Sequence, residues 1–185
     1  MKIRISYLLL LLFLCFQFTM VKADDKVQFL PVTAVNNFQL KKYLGKWYEV
    51  ARLPNAFEKK CNFPITATYQ LLEDGKIEVI NTCIKEDGSV KTSTGVAVFV
   101  KSATLGQLKV TFAPSFLSWL SFAYGDYWVL NTDYKTYALV GDPNRQYLWI
   151  LSRDSNLNAN LMSQLIAEAK SVGYDVSDLI IATNN

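Results

Sequence analysis

Eight short segments of alternating or continuous apolar residues follow one another between residues 45 and 153. They are rich in β-branched and aromatic residues and are separated by Gly, Asp, Asn and Pro, which is typical of strands joined by tight turns. The Asp74-Gly75 pair between two of them is a strong hairpin signal. In chain order the segments are KWYEVARL, PITATYQLL, KIEVINTCI, VKTSTGVAVFVK, QLKVTFA, DYWVLNT, TYALVGD and QYLWILSR.

The close spacing of these segments leaves few residues for helices between them. Consecutive strands are then expected to pair antiparallel. An up-and-down barrel is the economical arrangement, because closing the sheet removes its exposed edges. The sequence therefore predicts an all-β fold with an eight-stranded up-and-down antiparallel barrel at about 45–153. An open sandwich is the alternative.

The apolar period changes after the eighth segment. In NANLMSQLIAEAKSVG the apolar residues recur at helical spacing, which predicts one helix over about 158–172. Asn158 or Asn156 can cap its start and Gly173 can end it. We expect its apolar stripe to pack on the outside of the barrel. LIIAT, near the end of the chain, is compatible with a short further strand, and TAVNNFQLKKYLG with a helical turn across one barrel end.

Residues 1–23 have the pattern of a secretory signal peptide. A basic start is followed by an apolar run, Tyr7 to Phe18, and by Val21-Lys22-Ala23 before the expected cleavage point. The run is shorter than the roughly 20 residues of a spanning helix, which is the alternative. Leu14, which precedes Cys15, is not the small residue of a lipoprotein signal, so no lipid anchor is predicted. Residues 24–185 then form a single domain.

Charge and composition exclude several functions. The formal charge of +3 comes from Lys2, Arg4 and Lys22, all in the expected signal, so the remaining chain is balanced. Nucleic-acid binding, which needs clustered positive charge, is not expected. The chain contains no His, which removes the commonest metal ligand and general base. We predict no metal, no cofactor and no enzymatic activity.

Two cysteines, Cys61 and Cys83, follow the expected signal. Export leads to an oxidising compartment, which favours a disulfide between them. The bond would stabilise the fold by about 3 kcal/mol in the chain-entropy model. Two free thiols are the alternative.

Three motifs resemble those of the lipocalin family. Gly45-Lys46-Trp47 matches the family's Gly-x-Trp motif, Thr132-Asp133-Tyr134 matches its Thr-Asp-Tyr turn, and Arg153 matches the arginine that ends the eighth strand. Within the family the chain is most similar to the bacterial lipocalin and apolipoprotein D branch, through GKWYEVARLPNAFEKKC, TATYQLLEDGKIEVIN and YLWILSRD. The resemblance implies a barrel that carries small hydrophobic molecules, with fatty acids and lysophospholipids as the cargo of the bacterial branch.

One end of such a barrel must be sealed. A large indole can plug it and a guanidinium can stack across the indole, a contact worth about 0.5–2 kcal/mol. We assign Trp47 and Arg153 to this closure, together with Gly45 and the Thr132-Asp133-Tyr134 turn.

The period-2 rule gives the expected wall of the barrel. With Trp47 pointing inwards, Glu49 and Ala51 share its face, while Arg52 faces the other way; a bulge would reverse such assignments. Glu49 is then a cavity carboxylate or, alternatively, one half of a strand-end ion pair. Tyr69, Tyr127 and Trp149 are the expected aromatic lining.

The loop APSFLSWLSFAYG is more apolar than an exposed loop should be. Alternate loops reach alternate barrel ends, so it lies at the open end with the loops near 55–63, 85–91 and 142–146. We expect it to contact a lipid surface or a ligand tail; the alternative is that it folds back and fills the mouth. Its apolar residues are Phe116, Leu117, Trp119, Leu120 and Phe122.

The sequence thus favours a protein that binds small hydrophobic molecules. The resemblance implies fatty acids or lysophospholipids as its cargo and the cell envelope as its location. We expect it in the periplasm or at the outer membrane, as a monomer or homodimer with possible peripheral membrane contact. Secretion is the alternative location. The alternative function is sequestration of a non-lipid hydrophobic ligand such as haem, a pigment or a signalling molecule.

Overall fold

The computed structural model describes residues 29–117 and 120–182. The predicted signal peptide, residues 1–23, and Trp119 of the predicted mouth loop lie outside these ranges. The division at residue 23 therefore stays a prediction.

Eight antiparallel strands form the body of the molecule, and each pairs with the next in sequence. Their order in the sheet is their order in the chain, as the turn signals predicted. The strands are β1 (Gly45–Arg52), β2 (Asn62–Leu71), β3 (Ile77–Ile84), β4 (Val90–Phe99), β5 (Gln107–Thr111), β6 (Gly125–Thr132), β7 (Tyr137–Gly141) and β8 (Leu148–Ser152).

Strand β1 closes the sheet, because it pairs with β2 on one side and with β8 on the other. Trp47 lies opposite Ala67 of β2, and Glu49 lies opposite Leu151 of β8. The closed up-and-down barrel is therefore confirmed, and the open sandwich is excluded. A two-residue strand, β9 (Ile180–Ile181), adds to β1 at Ala51 and Arg52.

A β-bulge interrupts β1 where it pairs with β8, between Glu49 and Ala51. The extra residue changes which side chains face the interior. Ala51 packs into the cluster outside the barrel, whereas Arg52 turns to the side of Glu49 and bonds to it. The prediction that Ala51 faces inwards and Arg52 outwards was wrong for this reason.

Helix α2 (Ala159–Ser171) packs on the outer face of the barrel, as predicted. The Asn158 side chain caps it by accepting hydrogen bonds from the backbone N–H groups of the first turn. Its buried residues, Leu165 and Ala169, pack with Leu139 and Ile150 of the sheet. Among the described residues, no helix is both long and apolar enough to cross a membrane.

The barrel interior holds a second apolar cluster. Because side chains alternate along a strand, one set from each strand points inwards. A short helix before β1, α1 (Leu40–Tyr43), lies across one end and adds Tyr43 to this cluster. Its other buried members are Phe38, Trp47, Tyr69, Ile77, Val79, Ala97, Leu108, Val129, Ala138, Val140 and Leu151.

Candidate functional site

The interior is not filled by its own side chains. A cavity of about 410 Å³ remains inside the barrel, within the about 300–1,000 Å³ typical of small-molecule sites. Apolar and aromatic side chains such as Ile77, Val79 and Leu108 form most of its wall. Phe57, Phe112 and Tyr147 extend it to the loops at one end of the barrel. We call the end at these loops the mouth.

Trp47 lies at the opposite, closed end of the barrel. Its side chain is fully buried, and its indole N–H donates to the Tyr43 carbonyl at 2.8 Å. The Arg153 guanidinium carbon lies 3.6 Å from the centre of the indole ring. Arg153 also donates to the carbonyls of Lys46 and Lys42 at 2.9 and 2.8 Å, so its hydrogen-bonding groups tie α1 to the start of β1.

Two backbone features hold this closed end together. Gly45 has φ +92°, a left-handed conformation that glycine adopts easily. In the turn between β6 and β7, the Asp133 carboxylate accepts from three successive backbone N–H groups, those of residues 135–137. The Thr132 hydroxyl donates to the Tyr137 carbonyl, and the Tyr134 carbonyl accepts from Arg153 at 3.2 Å. The motif residues therefore contact one another at one end of the barrel.

Three tyrosine hydroxyls meet at the inner end of the cavity. The Tyr127 hydroxyl lies 2.7 Å from that of Tyr43 and 2.7 Å from that of Tyr69. Burial raises the pKa of all three phenols, so they stay protonated at neutral pH. Tyr69 and Tyr127 line the cavity as expected, and the network places neutral polar groups in an otherwise apolar space.

A carboxylate pair lies nearer the mouth. Glu49 is only 5% exposed and accepts a hydrogen bond of 2.8 Å from Nη1 of Arg52. Arg52 Nε lies 3.6 Å from Oε2 of Glu58, the second carboxylate. Glu58 also accepts hydrogen bonds from the Asn55 amide and, at 3.3 Å, from the Trp149 indole N–H. Glu49 is thus both a cavity-lining residue and half of an ion pair.

The surroundings of Glu49 change its acidity. Burial raises the pKa of its carboxyl well above the ordinary value, and the nearby Glu58 raises it further, while Arg52 lowers it. A side-chain hydrogen bond to Glu58 also raises this pKa. The Glu49 carboxyl therefore keeps its proton to a higher pH than a free glutamate does.

An aromatic wall stands beside this pair. The Tyr147 and Trp149 rings stack with their centres 5.9 Å apart. Phe57 packs on both, with ring centres 5.3 Å from Tyr147 and 6.5 Å from Trp149. All three line the cavity, and Trp149 occupies the wall position predicted for it.

The predicted mouth loop forms two short 3-10 turns, Ser115–Leu117 and Ser121–Ala123. Phe116 is 71% exposed and Phe122 is 82% exposed, while Leu117 and Leu120 are partly exposed. None of these four lines the cavity, whereas Ala123 and Gly125 of the same loop do. The proposed contact with a lipid surface or a ligand tail therefore stays a prediction.

The disulfide between Cys61 and Cys83 joins the β1–β2 loop to strand β3. Of the two alternatives left by the sequence, the paired one is found. Both cysteines line the cavity near the mouth, so the bond fixes one side of its rim.

Several lining residues were not predicted from the sequence. Phe57, Glu58 and Tyr147 lie in or beside loops, where no period indicates a direction, and Tyr43 lies in the lead-in helix. The signal available for the first two was their position in NAFEKKC, within a loop expected at the mouth. That the predicted and the unpredicted residues contact ligand stays a prediction.

Comparison with known proteins places the fold in a family. The family model of the lipocalin-like domain matches residues 38–184. The chain is a lipocalin. The resemblance carried by its three motifs is therefore confirmed.

The relatives support the branch that the sequence indicated. This lipocalin is 40% identical over 152 residues to the outer membrane lipoprotein Blc of Vibrio cholerae, covering 80% of this chain and 84% of the relative. Identity to Blc of Escherichia coli K12 is 42% over 151 residues, covering 80% and 81%. Mouse apolipoprotein D is 34% identical over 151 residues, covering 77% and 75%.

Solved structures share the same barrel. Insecticyanin from the tobacco hornworm Manduca sexta superposes with a TM-score of 0.64 at 23% identity, covering 85% of this lipocalin and 87% of the other chain. Lobster apocrustacyanin A1 superposes with a TM-score of 0.62 at 18% identity, covering 86% and 94%. At these identities the likeness shows a common fold.

Proposed function

We propose that this lipocalin binds and carries elongated hydrophobic molecules, fatty acids or lysophospholipids, in the cell envelope. The observation that carries the proposal is the apolar cavity of about 410 Å³, which extends from Tyr43 at the closed end to the loops at the mouth. A buried alkyl chain gains about 25 cal/mol per Å² of apolar area removed from water. The absence of His from the sequence and the pairing of Cys61 with Cys83 favour a carrier over an enzyme.

Native mass spectrometry of the protein purified from cells tests this proposal directly. We expect an adduct with the mass of a single-chain lipid. Ala97→Trp, which places an indole at a cavity-lining position, should abolish the adduct. Leu71→Trp, at an exposed position in β2, should leave it unchanged. An adduct retained by folded Ala97→Trp protein would place the cargo elsewhere, and a coloured cofactor in place of lipid would favour the sequestration alternative.

Envelope location is part of the proposal. It is supported by the predicted signal at residues 1–23 and by relatives whose names describe outer membrane lipoproteins. Because the residue before Cys15 is Leu14, we propose cleavage after Ala23 without a lipid anchor. The intact mass of the mature protein should then correspond to residues 24–185; an N-terminal acylated Cys15 would contradict this.

The loop at the mouth is proposed to touch a membrane during lipid exchange. Phe116 and Phe122 are the most exposed of the large apolar side chains in the described residues, and such exposure beside a cavity mouth marks a lipid or partner contact. Replacing Phe116, Leu117 and Leu120 by Ser should reduce co-sedimentation with phospholipid vesicles. The matched change Leu71→Ser, on β2 away from this loop, should not.

A further inference from the structure

One polar pair in the cavity wall has no hydrogen-bond partner in the protein. Asn81 of β3 lies directly opposite Ser93 of β4, and both residues line the cavity. The Asn81 amide oxygen is buried and accepts no hydrogen bond. In the part of the chain that the structure describes, the Asn81 amide nitrogen and the Ser93 hydroxyl have no partner either. The wall therefore holds an amide and a hydroxyl whose hydrogen-bonding capacity is unused.

Other polar side chains that line the cavity have partners within the protein. The Thr66 and Thr82 hydroxyls lie 2.6 Å apart, and Lys91 donates to the Phe57 carbonyl at 3.2 Å. The tyrosine hydroxyls at the inner end bond to one another, and the carboxyl groups near the mouth pair with Arg52. These groups satisfy one another, whereas the Asn81–Ser93 pair is left for a molecule that enters the cavity.

The Asn81–Ser93 pair faces the buried part of a ligand. Cys83, whose disulfide fixes the rim, is the next inward residue of β3 after Asn81. Because a strand rises about 3.3 Å per residue, the pair lies about 7 Å deeper than the rim. The wall around it is apolar, since Ala67 is the partner of Asn81 in β2 and Val79 precedes it on the same face. A head group held at the mouth therefore does not reach this pair.

A plain alkyl chain would leave the pair unsatisfied. Water in an unliganded cavity bonds to such groups, but a chain that fills the cavity displaces that water. A buried polar group without a partner then costs its full desolvation free energy. A hydroxyl on the chain removes this cost, because it can donate to the Asn81 amide oxygen and accept from the Ser93 hydroxyl.

We propose that Asn81 and Ser93 form a hydrogen-bonding subsite for a hydroxyl carried in the apolar body of the cargo. The preferred cargo is then a hydrocarbon chain that is hydroxylated away from its head group. Fatty acids and lysophospholipids carry their oxygen atoms in the head group, so the subsite adds a requirement on the segment inside the barrel. This inference rests on the proposed function, because it takes a chain to occupy the cavity.

Octadecanoic acid and its hydroxylated forms test the subsite on the delipidated protein. Four isomers carry the hydroxyl at carbon 6, 8, 10 or 12, and the 2-hydroxy isomer, with its hydroxyl beside the carboxyl group, is the control. Kd values are measured below the micelle concentration by tryptophan fluorescence. We expect at least one inner isomer to bind about fivefold more tightly than octadecanoic acid, a difference of about 1 kcal/mol. The 2-hydroxy isomer should gain less than about twofold.

Variants then assign this gain to the two residues. Asn81→Leu keeps a side chain of similar size and removes the amide, so it should reduce the gain to within about twofold. Octadecanoic acid itself should bind this variant at least as tightly as the wild type, because no unpaired amide remains. Ser93→Ala, a smaller change, should reduce the gain in part. Thr94→Val is the matched control, because it removes a hydroxyl from an exposed position of β4 that does not line the cavity.

The outcomes separate the two proposals. If neither octadecanoic acid nor any hydroxylated form binds, the proposed function fails. If octadecanoic acid binds and no inner isomer binds more tightly, the cavity takes a chain and the hydroxyl subsite is wrong. If the gain survives both Asn81→Leu and Ser93→Ala, it arises elsewhere in the cavity, and the assignment to this pair is overturned.

Discussion

The two ends of the barrel each combine an arginine with a tryptophan, with opposite results. At the closed end, Arg153 stacks on Trp47 and donates to backbone carbonyls. At the mouth, Arg52 donates a hydrogen bond to Glu49 and lies 3.6 Å from Glu58, which accepts from the Trp149 indole N–H. The first arrangement joins segments at the closed end of the barrel, whereas the second places carboxyl groups and an aromatic surface along a cavity.

The difference shows that residue type alone does not separate a structural site from a binding site. At the closed end the acceptors are backbone carbonyls, which do not titrate. At the mouth the acceptors are carboxyl groups, whose charge depends on pH. Only these carboxyl groups line the cavity, so the two arginines differ in their partners and not in their type.

The strongest test applies one substitution at both ends. Trp47→Ala should lower the free energy of unfolding by about 3–5 kcal/mol, because the side chain is fully buried. Trp149→Ala should lower it by less, since this ring is only partly buried at the cavity wall. Urea unfolding of the two delipidated proteins measures both values. If both substitutions lowered the free energy of unfolding equally, Trp47 and Trp149 would not differ in their contribution to the fold.

Replacing each arginine by methionine compares the carboxyl partners of Arg52 with the carbonyl partners of Arg153 by their effect on stability. Arg52→Met leaves Glu49 and Glu58 without a cation, and should cost about 3 kcal/mol at neutral pH. The loss should shrink as the pH falls, because protonation neutralises the carboxylates. Arg153→Met leaves carbonyls that reach water, so its smaller cost should not depend on pH in this way. Urea unfolding at several pH values measures both, and a pH-independent loss for Arg52→Met would contradict the charge argument.

The pH dependence of stability sharpens the contrast further. The native pKa of Glu49 is raised, so its contribution to stability is complete below about 4.3, the unfolded value, and is lost as the pH rises through the native pKa. The free energy of unfolding of the wild type should therefore fall as the pH rises above about 4.3, and this fall should be smaller in Glu49→Gln. Urea midpoints measured across the pH range test this.

Asp87, in the loop between β3 and β4, is a control, because its pKa is shifted in the opposite direction from that of Glu49. The Ser89 side chain and backbone hold the pKa of Asp87 at about 2. Its contribution is present above the unfolded value and is lost as the pH falls through the native one. Asp87→Asn should change only the acid side of the profile, so identical profiles for Glu49→Gln and Asp87→Asn would show that burial of Glu49 is not the cause.

The tyrosine network between the two ends should give the smallest effect. Tyr69→Phe removes one hydrogen bond of 2.7 Å to Tyr127, and a typical intramolecular hydrogen bond contributes about 1 kcal/mol. Tyr48→Phe is the control, since its hydroxyl has no hydrogen-bond partner among the residues that the structure describes. A Tyr69→Phe protein as stable as the wild type would mean that water replaces the lost hydroxyl.

The barrel was predictable because its signals are local. Strand period, the Asp74-Gly75 turn and the Asn158 cap each act over a few residues, and consecutive pairing of strands follows from short connections. The inward position of Glu49 followed from the same alternation, until the bulge in β1 reversed it at Ala51 and Arg52.

The sequence by itself determined the fold, the family and the two cysteines available for pairing. Only the tertiary structure decided which loop residues line the cavity. It also placed Arg52 beside both Glu49 and Glu58, and it left Phe116 and Phe122 exposed. The physical reason is distance along the chain. The hydrogen bond from Trp149 to Glu58, for example, joins residues 91 positions apart, and no local pattern encodes their contact.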